Sequence, residues 1–171
     1  MMCTAHHNLS AMRTFFAPFV LLLLSVQGQA ASLYDQLRAF NPYWAQHRKA
    51  LEGIPQQHIR SDVDYVRAHL AQVLNVLADA PTGHLTSDQR ASRGELMEVL
   101  GNYAHQGRFP INHYRHERIP VFIDEHDTHC AVGYLMRHTG QEAMALRIAA
   151  SNNYAWVREI GDPSLAAWQA A

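Results

Sequence analysis

Ser61-Asp62-Val63-Asp64-Tyr65-Val66-Arg67-Ala68-His69-Leu70-Ala71-Gln72-Val73-Leu74-Asn75-Val76-Leu77 carries apolar residues at positions 63, 66, 70, 73, 74 and 77. That spacing follows the 3.6-residue period and predicts an amphipathic helix whose stripe needs a partner face. Its opening Ser-x-x-Asp resembles a capping box, in which side chains satisfy the first orphan amides. Ala80-Pro81-Thr82-Gly83 breaks the pattern, and Thr86-Ser87-Asp88-Gln89 offers a second capping box. Behind it Leu96, Val99, Leu100 and Tyr103 share one face until Gly107 closes the helix. Two amphipathic helices joined by so short a connection are expected to pack as antiparallel neighbours.

Upstream, Leu33, Leu37 and Phe40 repeat at helical spacing behind Ser32, a fitting N-cap, and Asn41-Pro42 opens a second short helix through Trp44 and Leu51 to Gly53. Downstream, residues 108–118 lose periodicity and gain Pro110, Asn112, His113 and His116, as a loop crossing the domain would. Ile119-Pro120-Val121-Phe122-Ile123-Asp124 is strand-like, with Pro120 favouring an edge. After it, Asp127 or Thr128 can cap a helix through Ala131, Val132, Leu135 and Met136 to Gly140, with Cys130 in its first turn. Gln141–Ser151 reads as a further helix stopped by Asn152-Asn153, and Asp162-Pro163 as the cap and first residue of a last one. The expected fold is mainly α: a compact multi-helix bundle with at most one short β element near residues 119–124.

Residues 1–30 read differently. The apolar run Phe15–Val26 follows a single Arg13 and leads into the small-residue pattern Gly28-Gln29-Ala30, the order of a cleavable secretory signal. A membrane span needs ~20 apolar residues, and this run is shorter and interrupted by Pro18. Met12 would serve as well as Met1 for a start. The expected organisation is a signal peptide over 1–30 and a single helical domain over 31–171, periplasmic or secreted, with no membrane anchor after cleavage. Cleavage removes Arg13 and no acidic residue, taking the formal charge from −1 to −2. No basic excess remains to recruit nucleic acid, so the expected partner is an envelope or extracellular one. Cys3 leaves too, so Cys130 is the only thiol of the mature chain and has no internal disulfide partner.

Arg118–Asp124 followed by Cys130-Ala131-Val132-Gly133-Tyr134-Leu135 resembles a segment of uncharacterised exported bacterial proteins, as do Phe109–Asn112 before it and Asn152–Ala155 after it. The resemblance spans roughly residues 85–160 and implies one exported domain. It brings no activity and no catalytic residue.

Two chemistries fit residues 113–138. His113, His116, His126, His129 and His138 crowd around Cys130, and imidazole with thiolate suits zinc or copper. Solvated histidines on a polar loop account for the same pattern, since neither HExxH nor CxxC is present. Alternatively Cys130 is the nucleophile of a thiol enzyme, with His113, His116 or His126 folding back as base and Asn152 or Asn153 orienting it. His138 lies about 12 Å along the same helix, too far to pair with the thiol. A first-turn position lowers a thiol pKa, whereas Asp124, Glu125 and Asp127 raise it. A free cysteine beside Ala131 and Val132 is also simply a small core residue. Each chemical reading has a plainer rival, so a binding or structural module is the default expectation, and enzymatic activity the less favoured one.

Overall fold

A computed structural model describes residues 31–114, 116 and 118–170; the export signal assigned to residues 1–30 lies outside them. Among the described residues the chain forms α1 (Leu33–Phe40), a 3-10 turn (Pro42–His47), α2 (Arg48–Leu51), α3 (Asp62–Asp79), α4 (Ser87–Gln106), α5 (Ala131–His138), α6 (Glu142–Asn152), a second 3-10 turn (Val157–Glu159) and α7 (Pro163–Ala170). The fold is mainly α. No helix among the described residues is long and apolar enough to cross a membrane.

The caps explain most helix starts. Ser32 accepts the Asp35 amide at α1, and Thr86 and Gln89 complete a reciprocal capping box at α4. At α3 the Ser61 hydroxyl accepts the Asp64 amide, but the Asp64 carboxylate reaches one residue further back, to the Arg60 amide. The box inferred there is therefore displaced by one residue. Asn41 accepts the Tyr43 amide and starts the segment from Pro42, which begins as a 3-10 turn and continues as only one turn of α-helix. Gly107 ends α4 at φ 67°, a left-handed conformation that glycine adopts without strain. Beside it the Arg67 side chain donates to the carbonyls of Ala104 and His105, joining α3 to the end of α4.

Three apolar clusters follow one another along the helices. Leu33, Leu37, Trp44, Leu51 and Ala68 bury α1 and α2 against one side of α3. Leu70, Leu100, Tyr103 and Phe109 fill the α3–α4 seam, where Ala131, Tyr134 and Leu135 of α5 pack on them. Phe122, Met136, Met144, Ala145, Ile148 and Leu165 make the third cluster, between α5, α6 and α7. Val73 touches both of the first two, so the stripe that predicted α3 splits its contacts between two cores.

The strand-like run 119–124 forms no strand; its pairing is one isolated antiparallel bridge, Ile123 with His129. No neighbouring strand exists among the described residues to complete a ladder. Instead the Phe122 amide donates to the Asn153 carbonyl, and the Asn153 side chain takes both polar groups of Ile123, accepting from its amide and donating to its carbonyl at 2.9 Å each. Asn153 thus stands in for a second strand. Its backbone is right-handed, at φ −57°, just past the end of α6.

Candidate metal centre

The turn after Ile123 is organised by one carboxylate. Asp124 accepts the amides of His126 and Thr128 at 2.9 Å and of Ile111 at 3.1 Å, while its own amide donates to the Thr128 carbonyl. Partial burial works to raise its pKa, but the hydrogen bonds from Thr128, Ile111 and His126 outweigh it and hold the carboxyl below its ordinary value. The reversal costs a positive φ at Asp127, 57°, a region tolerated by aspartate. The Ile111 bond staples the segment that leads into His113 onto the turn. Phe109 anchors the near end of the 108–118 loop in the core. At the far end Arg118 lies over the rings of Phe40 and Tyr65 and pairs with Asp62.

This staple brings His113 beside His126, ring centroids 6.2 Å apart and nearly perpendicular. Glu125 completes the group. One ligand atom from each of His113, Glu125 and His126 lies within 4.8 Å of the other two, and all three residues are exposed. Ligands bonded tetrahedrally to zinc at ~2.0–2.2 Å stand about 3.4 Å apart. The closure this requires is within reach of side-chain rotation at the surface. The exposed Tyr114 hydrogen-bonds Glu125, which raises its phenol pKa.

The other residues singled out in the sequence lie elsewhere. His116 is exposed on the same loop but outside this group of ligand atoms. His138 faces Glu95 on α4, Nε2 to carboxylate 3.4 Å. His129 is turned into the fold and only 4% exposed, and its carbonyl accepts the Tyr103 hydroxyl at 2.8 Å. Room for the ring comes from Gly133. A Cβ there would stand 3.3 Å from both His129 Cδ2 and Phe122 Cε1, which accounts for a glycine within α5 despite its ~1 kcal/mol helix penalty.

Cys130 is itself the N-cap of α5, in place of Asp127 or Thr128, its sulfur accepting the Gly133 amide at 3.5 Å. Burial pushes the thiol up to about 11; the amides of Gly133 and Val132 oppose this without overcoming it. A nucleophile needs the opposite shift. Among the described residues neither His129 nor Cys130 has a ligand atom within the group of His113, Glu125 and His126. Glu125 does, and the sequence signal for it was a carboxylate next to His126 in a tight turn. Compared with known proteins, the chain is matched by no family model, curated protein or solved structure.

Proposed function

We propose that this chain is an exported helical binding module that captures a transition-metal ion, zinc or copper, at His113, Glu125 and His126. The observation that carries the reading is the convergence of two imidazoles and a carboxylate from separate segments, held together by the Asp124 hydrogen bonds. Imidazole and carboxylate are suitable ligands for these ions. A structural zinc site is closed by four protein ligands and buried in what it stabilises. Three ligands on an exposed loop fit reversible loading better, with solvent or a partner's side chain filling the remaining position. The thiol-enzyme reading is the less favoured one, because Cys130 is a capping group with a raised pKa and faces no imidazole base in the described contacts. Export is part of the proposal and rests on the residue pattern of the first thirty positions.

Calorimetric titration of the metal-free chain with zinc and copper tests this. One equivalent is expected to bind, and His113→Ala and His126→Ala each to weaken binding at least ~10-fold, the scale on which even outer partners of a ligand act. Both side chains are exposed, so circular dichroism should remain that of the parent. Unaltered binding in both variants, or no binding to the parent chain, would refute the assignment.

A further inference from the structure

The proposed metal group lacks one ligand, and the loop beside it holds one to spare. Three ligands leave a tetrahedral zinc one position short. His116, three residues after His113, is exposed, lies outside the group, and makes no hydrogen bond, ion pair or ring contact among the described residues. Its loop is held on both sides, by the Ile111 amide on Asp124 before His113 and by the Arg118 side chain over Phe40 and Tyr65 after His116. An imidazole presented in this way is open to a metal that its own chain does not offer it.

The surface around the group carries an apolar patch. Of the six large apolar side chains that are exposed among the described residues, Ile111, Tyr114 and Tyr154 stand beside the ligands. Ile111 is tied by its amide to Asp124, and Tyr114 hydrogen-bonds Glu125 within electrostatic reach of Tyr154. Tyr154 itself follows the Asn153 that clamps Ile123. Grouped exposed apolar side chains mark interaction surfaces, where tyrosine is enriched. Three such residues are far fewer than the ~20–30 a side of a stable interface. Contact here therefore needs a further source of affinity, and a shared metal supplies one.

We infer that zinc joins two copies of this chain, His116 of each copy completing the His113, Glu125 and His126 set of the other. The inference rests on the metal reading above and names the ligand left open there. A second copy is the occupant because the segment 113–116 carries both a ligand of the open site and the spare imidazole. About a two-fold axis passing between His113 and His116, each spare imidazole faces the position that lacks one, and the apolar patch meets its own counterpart. The span from 113 to 116 is at most ~11 Å even in extended chain, so both ions fall within one small contact. An unrelated partner would fill the open position and leave His116 unused.

Sedimentation equilibrium of the chain tests this, with calorimetric titration reporting zinc binding separately. The metal-free chain should be a monomer, and one equivalent of zinc per chain should give a dimer that dissociates on the order of 10 μM, the strength of a small transient contact. His116→Ala should stay monomeric with zinc while still binding it, about 10-fold more weakly. His113→Ala should stay monomeric too. An equimolar mixture of these two variants retains one complete crossed site, so zinc should restore a dimer that holds a single ion. A parent chain that binds zinc and stays monomeric would overturn the inference and leave the metal site standing, whereas a parent that binds no zinc refutes both. A dimer that persists without metal, a zinc-dependent dimer of His116→Ala, or no dimer in the mixture would equally overturn it.

Discussion

The fold should lose stability on mild acidification through one residue, His69. Trp44 Nε1 donates to His69 Nδ1 at 2.9 Å, and the ring packs on Phe40 and Trp44, centroids 5.5 and 5.7 Å away. Burial lowers its pKa from 6.5 to about 4. Protonation would set an N–H against the indole N–H and place a charge among aromatic rings. The unfolded chain takes up this proton near pH 6.5 and the folded chain only near pH 4, so the unfolded state gains as pH falls between those values. The full gap corresponds to ~3 kcal/mol, of which about 2 kcal/mol is reached by pH 5. Against a typical domain stability of ~5–15 kcal/mol that is a large fraction. Other histidines titrate as well, so the measurement is a difference. Urea unfolding at pH 7.5 and pH 5 is compared for the parent and for His69→Gln, whose amide oxygen can still accept from Trp44 and never ionises. The parent should lose about 2 kcal/mol more than the variant over this interval. Parallel losses in the two proteins would show that His69 is not held neutral, and the reasoning would fail.

Two further outcomes test the turn that carries the metal group. Asn153→Ala leaves both polar groups of Ile123 unmet and should lower stability by ~2–4 kcal/mol, whereas Asn153→Asp, which restores only the acceptor, should recover part of it. A loss below about 0.5 kcal/mol, the scale of an ordinary surface substitution, would mean that this side chain does not replace a strand. Alkylation of Cys130 by iodoacetamide should be slow at pH 7 and rise toward a midpoint near 11. Rapid labelling at neutral pH would restore the nucleophile reading.

The legible part of this chain is what local periodicity and capping chemistry write into it. The Val63–Leu77 stripe, the Thr86–Gln89 box, Gly107 and Asp162-Pro163 each specify an element from residues within a few positions of one another, and each element forms. Run 119–124 supplies no more than one bridge for a physical reason. A short apolar run asks for a ladder without naming the partner, and here the partner of Ile123 is an asparagine side chain thirty positions away, at a helix end. The Cys130 cap was hidden because thiols are poor acceptors, so Asp127 and Thr128 looked better suited to the role. Asp127 is instead spent on the reversal itself, at positive φ.

The same distinction explains why the five histidines near Cys130 do not share one face. Sequence proximity counted five imidazoles and a thiol around one turn, but a turn sends successive side chains in different directions. His126 goes out to solvent, while three residues later His129 goes in, where Gly133 makes space for it. What joins His113 to His126 is a long-range bond, the Ile111 amide on the Asp124 carboxylate, and no spacing rule contains it. Asp124 touches no ligand atom of the group, yet it fixes the separation of the two segments that supply them. The proposed metal binding should therefore be as sensitive to the hydrogen bonds of the turn as to the three exposed side chains, because two ligands on independent loops would have to be ordered by the metal itself.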